Sequence, residues 1–158
     1  MGGGDEVKGK IKIPTIGLFT YNEGFKQYEG KSQSIHWSIE ADDKSIDLVE
    51  KVKLTEELFM NLKEFEEMTK QKVAEALIDF KNEQWFEYDE NDEELDWDAV
   101  DAGEYDMTIE GFVSSITLLD IMITNEGIYC EYEDGNLFGG HRIHAYFDKK
   151  GEFIKADI

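Results

Sequence analysis

A chain of 158 residues with 41% apolar and 13% aromatic content can bury a core without metal or disulfide staples, and its single cysteine, Cys130, excludes an internal disulfide. Its 37 acids against 16 Lys and Arg give a net charge of −21, which repels nucleic-acid phosphates and anionic lipid and attracts cationic partners. No apolar run approaches the ~20 residues of a membrane helix and no stretch has signal-peptide organisation, so a cytoplasmic protein binding neither nucleic acid nor membrane is expected.

In chain order, residues 1–15 read as an N-terminal tail, with Met1 to Gly4 taken in part as a tag remnant, and residues 16–158 as a single α+β domain. Ile16 to Tyr21 is apolar and aromatic, Asn22-Glu23-Gly24 carries turn chemistry, and Phe25 to Glu29 returns as a second strand. From Ser34 to Glu40 the alternation is strict: Ile35, Trp37 and Ile39 face a core, while Ser34, His36, Ser38 and Glu40 face water. Between Ser45 and Phe80 the apolar positions Ile46, Val49 and Val52, then Leu58, Leu62, Phe65, Val73, Leu77 and Phe80, recur at helical spacing. Thr55 followed by Glu56 and Glu57 has the make-up of a helix start, so two helices are expected.

After an acidic stretch, residues 108–115 form a short helix, and strands follow over 116–124, 128–133, 142–147 and 152–158. In the last two, Ile143, Ala145 and Phe147 share one face, as do Ile154, Ala156 and Ile158. Three N-terminal strands, two central helices and four C-terminal strands predict a mainly antiparallel sheet with the helices packed on one face.

The charge is concentrated. Residues 82–141 hold 18 Asp and Glu and no Lys or Arg, densest from Glu87 to Asp106. With neither helical nor strand period, residues 87–106 read as an acidic loop, and loops beyond ~12–15 residues are uncommon in compact domains unless functional or disordered. Trp97, between Asp96 and Asp98, either folds onto the core as an anchor or stays exposed as a contact. The candidate partner-binding residues are Tyr88, Asp92, Glu93, Glu94, Asp96, Trp97 and Asp98. Asp89 to Glu93 begins like a calcium loop, but Glu94 stands where position six needs Gly and Val100 where position twelve needs Glu, so no metal site is expected.

The block from Asp134 to Ile143, with its Leu137-Phe138-x-Gly140-His141 string, resembles a bacterial domain-of-unknown-function family, family 2262. The Lys81-Asn82-x-x-Trp85 run and the aromatic and Gly near Tyr28 to Gly30 fit the same family, over roughly residues 16–158. The resemblance implies an α+β bacterial domain, lends no catalytic residues, and is similar to domains associated with toxin immunity.

The Gly-rich loop lacks the P-loop lysine and dinucleotide spacing and leads into a strand, so no phosphate cofactor is expected. Its glycines serve positive φ, and Phe138 plugs the core. His141 and His144 are three apart, which on a strand sends their rings to opposite faces; His141 reads as a loop residue hydrogen-bonded to backbone. Cys130 reads as an inert buried thiol, with His141 its one candidate neighbour.

Together these readings predict a non-enzymatic domain that uses its acidic, aromatic-containing loop to bind a basic protein surface, as an immunity or inhibitor protein would. The competing readings are a hydrolase-type enzyme with a site near Asp134, His141 and Arg142, and a domain whose acids serve solubility alone.

Overall fold

Ile35, Trp37 and Ile39 are all buried in strand β4 as the alternation expects, and His36 and Glu40 on the other face are partly exposed, but Ser38, expected to face water, is only 3% exposed, because side chains of the neighbouring strands cover that face there too. In the computed structural model, which describes residues 9–42 and 47–158, this strand is the fourth of eight. The strands are β1 Lys10–Ile13, β2 Gly17–Asn22, β3 Gln27–Ser32, β4 Ile35–Glu40, β5 Thr117–Ile123, β6 Gly127–Glu133, β7 Ile143–Asp148 and β8 Phe153–Asp157. They form one sheet in chain order, antiparallel throughout except where β4 meets β5 in parallel. Two four-stranded meanders therefore sit side by side, joined by a crossover that contains every described helix. A parallel pair needs such a crossover, because no tight turn can return the chain to the same end.

Those helices are α1 Leu48–Met60, α2 Leu62–Gln84, α3 Trp97–Asp101 and α4 Ile109–Ser115. Leu58, Leu62, Phe65, Val73, Leu77 and Phe112 close over the sheet row of Trp37, Ile121, Cys130 and Ala145, forming one core on one face of the sheet. Lys51, buried on α1, locks the crossover to the parallel pair: its Nζ donates to Glu40 O at 2.8 Å and to Asn125 Oδ1. Burial, opposed by neighbouring acids, pushes its pKa down.

The α+β class, the mainly antiparallel sheet and the four C-terminal strands agree with the sequence reading. Five further details differ. A strand, β1, lies inside the expected tail, where Lys10 and Lys12 hide the pattern; both sit on an edge strand, where lysines discourage pairing with other chains. Phe25 is 74% exposed in the turn before β3 and does not begin it. Thr55 is fully buried inside α1, its hydroxyl donating to Lys51 O at 2.7 Å, and the helix break falls at Asn61, whose amide instead caps Glu57 O at 2.9 Å. Val49 points to solvent. Finally, a register shift at Tyr146/Phe147 puts Phe153 opposite Phe147 and leaves Ile154 60% exposed, which breaks the expected Ile154-Ala156-Ile158 face. The expected helix start at Ser45, Ile46 and the first eight residues of the tail lie outside the described residues.

Gly30 is required by packing. A Cβ there would come within 2.9 Å of the Phe19 ring, closer than packed side chains allow. Among the described residues no helix is long and apolar enough to cross a membrane.

Candidate functional site

The acidic segment is pinned at both ends. Lys81, buried in the last turn of α2, donates its Nζ to Trp85 O and pairs with Glu87 Oε1 at 2.6 Å. Asn82 closes the other side by exchanging two hydrogen bonds with Met107: its Oδ1 accepts from Met107 N at 2.8 Å and its Nδ2 donates to Met107 O at 3.1 Å. Between these clamps three Asp side chains organise backbone. Asp89 Oδ1 accepts from Asn91 N at 2.9 Å, Asp92 Oδ1 from Glu94 N at 3.0 Å, and Asp96 Oδ1 from Asp98 N at 3.0 Å and Ala99 N at 3.3 Å. The last pair is a helix N-cap, so the segment expected to be irregular holds a five-residue helix, α3, anchored by the buried Ala99.

Trp97 opens that helix and is 50% exposed, and Tyr105 is 39% exposed. Both rings meet Tyr88, at 6.2 Å and 5.8 Å between centroids, and Tyr88 stacks on Phe86 at 4.4 Å and 15°. Thus Trp97 is joined to an aromatic group of its own segment rather than to the core. Asp96 and Asp98 flank it in the chain, Asp92, Glu93 and Glu94 come just before, and all five are exposed. Among the described residues no group of three His, Cys, Asp or Glu is placed to hold a metal ion.

The residues of the alternative site are dispersed. Asp134 is 2% exposed and committed to its own loop: Oδ1 accepts from Asn136 N at 2.9 Å, and Oδ2 from Phe138 N at 2.9 Å and Gly140 N at 3.0 Å. The Asp134 carboxylate thereby shapes the Gly-rich turn, in which Gly139 and Gly140 both take positive φ as expected. His141 is exposed and lies edge-on to Trp85 at 5.8 Å, which replaces the expected hydrogen bond to backbone. Arg142 points to the opposite face of the sheet, 3.5 Å from Glu131 and 3.9 Å from Asp120. His141 and His144 do part to opposite sides, since the His144 ring stacks on Tyr129.

Phe138 does plug the core, with its ring against Phe80, Trp85 and Phe112. Sequence reading missed how the two strings meet. Trp85 of the first touches both Phe138 and His141 of the second, and a Cβ at Gly139 would come within 3.1 Å of the Trp85 ring. Cys130 is fully buried opposite Ala145, away from His141, and burial pushes its thiol pKa far up.

A polar network on the open face of the sheet was also missed. His36 Nδ1 lies 3.2 Å from Asp120 Oδ1, and Tyr129 Oη donates to Glu131 Oε2 at 3.1 Å and meets His144 Nδ1 at 2.5 Å. Burial and the facing Glu131 hold the Asp120 carboxyl above its ordinary range, and burial with Glu131 pushes Tyr129 up. Alternation assigned His36 and His144 to the wet face; the network depends on strand register, which periodicity leaves open.

The fold and these convergent strings are those of a bacterial α+β domain of uncharacterised activity. The chain belongs to the family described as "Uncharacterized protein conserved in bacteria (DUF2262)", which it matches over residues 14–158. No curated protein and no solved structure matches it.

Proposed function

We propose that residues 87–106 are a docking element for a basic protein surface, and that the protein works by binding and occlusion, without catalysis, in the bacterial cytoplasm. The observation that carries this reading is the half-exposed Trp97, joined through Tyr88 to Tyr105 and set among carboxylates on a segment pinned at both ends. Exposed Trp and Tyr are the residue types that dominate interface energetics, and a pinned segment loses less conformational entropy on docking than a mobile one. The surrounding charge would speed encounter with a cationic surface and disfavour nucleic acid and anionic lipid. An inhibitor or immunity role against a cationic protein is the form of binding this fits.

The test is capture from lysate of the native host at low salt, with two baits. The wild type should retain a basic protein that Asp92→Asn/Glu93→Gln/Glu94→Gln/Asp98→Asn bait loses. Equal capture by both baits would leave the acids a solubility role only.

A further inference from the structure

The open face of the sheet carries a second set of groups, independent of the acidic segment. Strand register lines up His36, Asp120, Glu131 and His144 in one row across β4, β5, β6 and β7. The next row, toward the β5–β6 turn, is Met122, Tyr129 and Tyr146. With the exposed Ile154, these three line an open depression of about 520 Å³. An apolar, aromatic floor thus adjoins a rim of paired carboxylates.

The chain's own cations show what this face holds. The Arg142 guanidinium lies 3.5 Å from Glu131 and 3.9 Å from Asp120, and the Lys155 ammonium sits 4.8 Å above the Tyr146 ring. Neither is sequestered, since the Arg142 side chain remains 51% exposed and that of Lys155 63%. Asp120 and Glu131 face each other directly in register, so two like charges, the first also beside His36 and the second also accepting from the Tyr129 hydroxyl, share one loosely held guanidinium. Cross-strand carboxylates in that arrangement favour a further planar cation, which each can accept through N–H···O bonds, while a flat body gains contact with the tyrosine rings.

We propose that this face binds a small guanidinium or amidinium compound with a flat apolar body, its cation on Asp120 and Glu131 and its body on Met122, Tyr129 and Tyr146. The resident Arg142 competes for the same carboxylates.

The probe is p-aminobenzamidine, whose fluorescence rises on an apolar surface, titrated into the full chain at fixed low ionic strength. One saturable site is expected. Its affinity should fall at least about ten-fold in Asp120→Asn/Glu131→Gln and stay unchanged in the acidic-segment variant described above. Arg142→Ala should bind several-fold more tightly, because the competing cation is gone. Absence of saturation, equal loss in the acidic-segment variant, or an Arg142→Ala affinity that is unchanged or weaker would each overturn the proposal. Should the double variant fail to fold, Arg142→Ala decides the matter, since its side chain is half in solvent.

Discussion

At the scale of single residues, carboxylates in this protein divide by what they accept. Asp134 is buried and takes three backbone amides, so removing it strands three donors in a loop that also seats Phe138. Each buried group left unsatisfied costs about 1–3 kcal/mol, and Asp134→Ala should therefore lower urea-unfolding stability by about 3 kcal/mol or more. His141→Ala, an exposed ring on an aromatic edge, should cost under about 1 kcal/mol in the same assay. A reversed order would mean that His141 and not Asp134 holds the loop. Asp120 is of the other kind, partly buried beside His36 and Arg142, with its folded pKa raised chiefly by burial and then by Glu131. A carboxyl whose folded pKa lies above its unfolded value stabilises the fold below the unfolded value and loses that contribution as pH rises through the folded one. Measured against Asp120→Asn, which cannot titrate, the wild type should gain stability as pH falls from neutral toward the ordinary carboxyl value of about 4. Parallel stability curves for the two proteins over that window would contradict the raised pKa.

Among the elements, β4 and β7 were legible because apolar residues of one buried face alternate with more polar ones along each strand, and that period of two is written in the sequence even where, as at Ser38, the other face is covered too. What escaped was set by contacts across the chain. The four residues of β1 carry two exposed lysines and become a strand only by pairing with β2. The break between α1 and α2 follows the Asn61 side chain, and a capping pattern at Thr55 cannot compete with full burial of that residue. The acidic segment belongs here as well. Eleven acids in 20 residues hide both periods, yet Asp96 caps a helix and Asn82 ties the segment shut from 25 residues away. Asn82→Ala should remove both bonds to Met107, costing about 1–3 kcal/mol, and should speed cleavage within residues 87–106 by a Glu-specific protease. Unchanged cleavage rates would show that the Lys81–Glu87 pair and the aromatic contacts suffice to hold the segment.

Taken as a whole molecule, the charge is lopsided: 18 of the acids fall in residues 82–141, where there is no Lys or Arg, while the rest of the chain is near balance. Self-repulsion of that kind weakens the compact state, and it accelerates encounter with a cationic partner in a manner that salt suppresses. These effects separate from anchoring in a kinetic measurement with the basic protein recovered by capture. Replacing Asp92, Glu93, Glu94 and Asp96 by Asn or Gln should slow association at low salt and flatten its salt dependence, while the fold is kept, because Asn at positions 92 and 96 retains the oxygen that accepts from Glu94 N, Asp98 N and Ala99 N. Trp97→Ala should leave association almost unchanged and speed dissociation by the equivalent of about 2 kcal/mol. Because the Trp97 ring meets Tyr88 and not the core, the melting temperature of this variant should move little. A large drop in melting temperature with unaltered dissociation would instead make Trp97 a fastener of its own segment, and the docking surface would then have to lie elsewhere on the molecule.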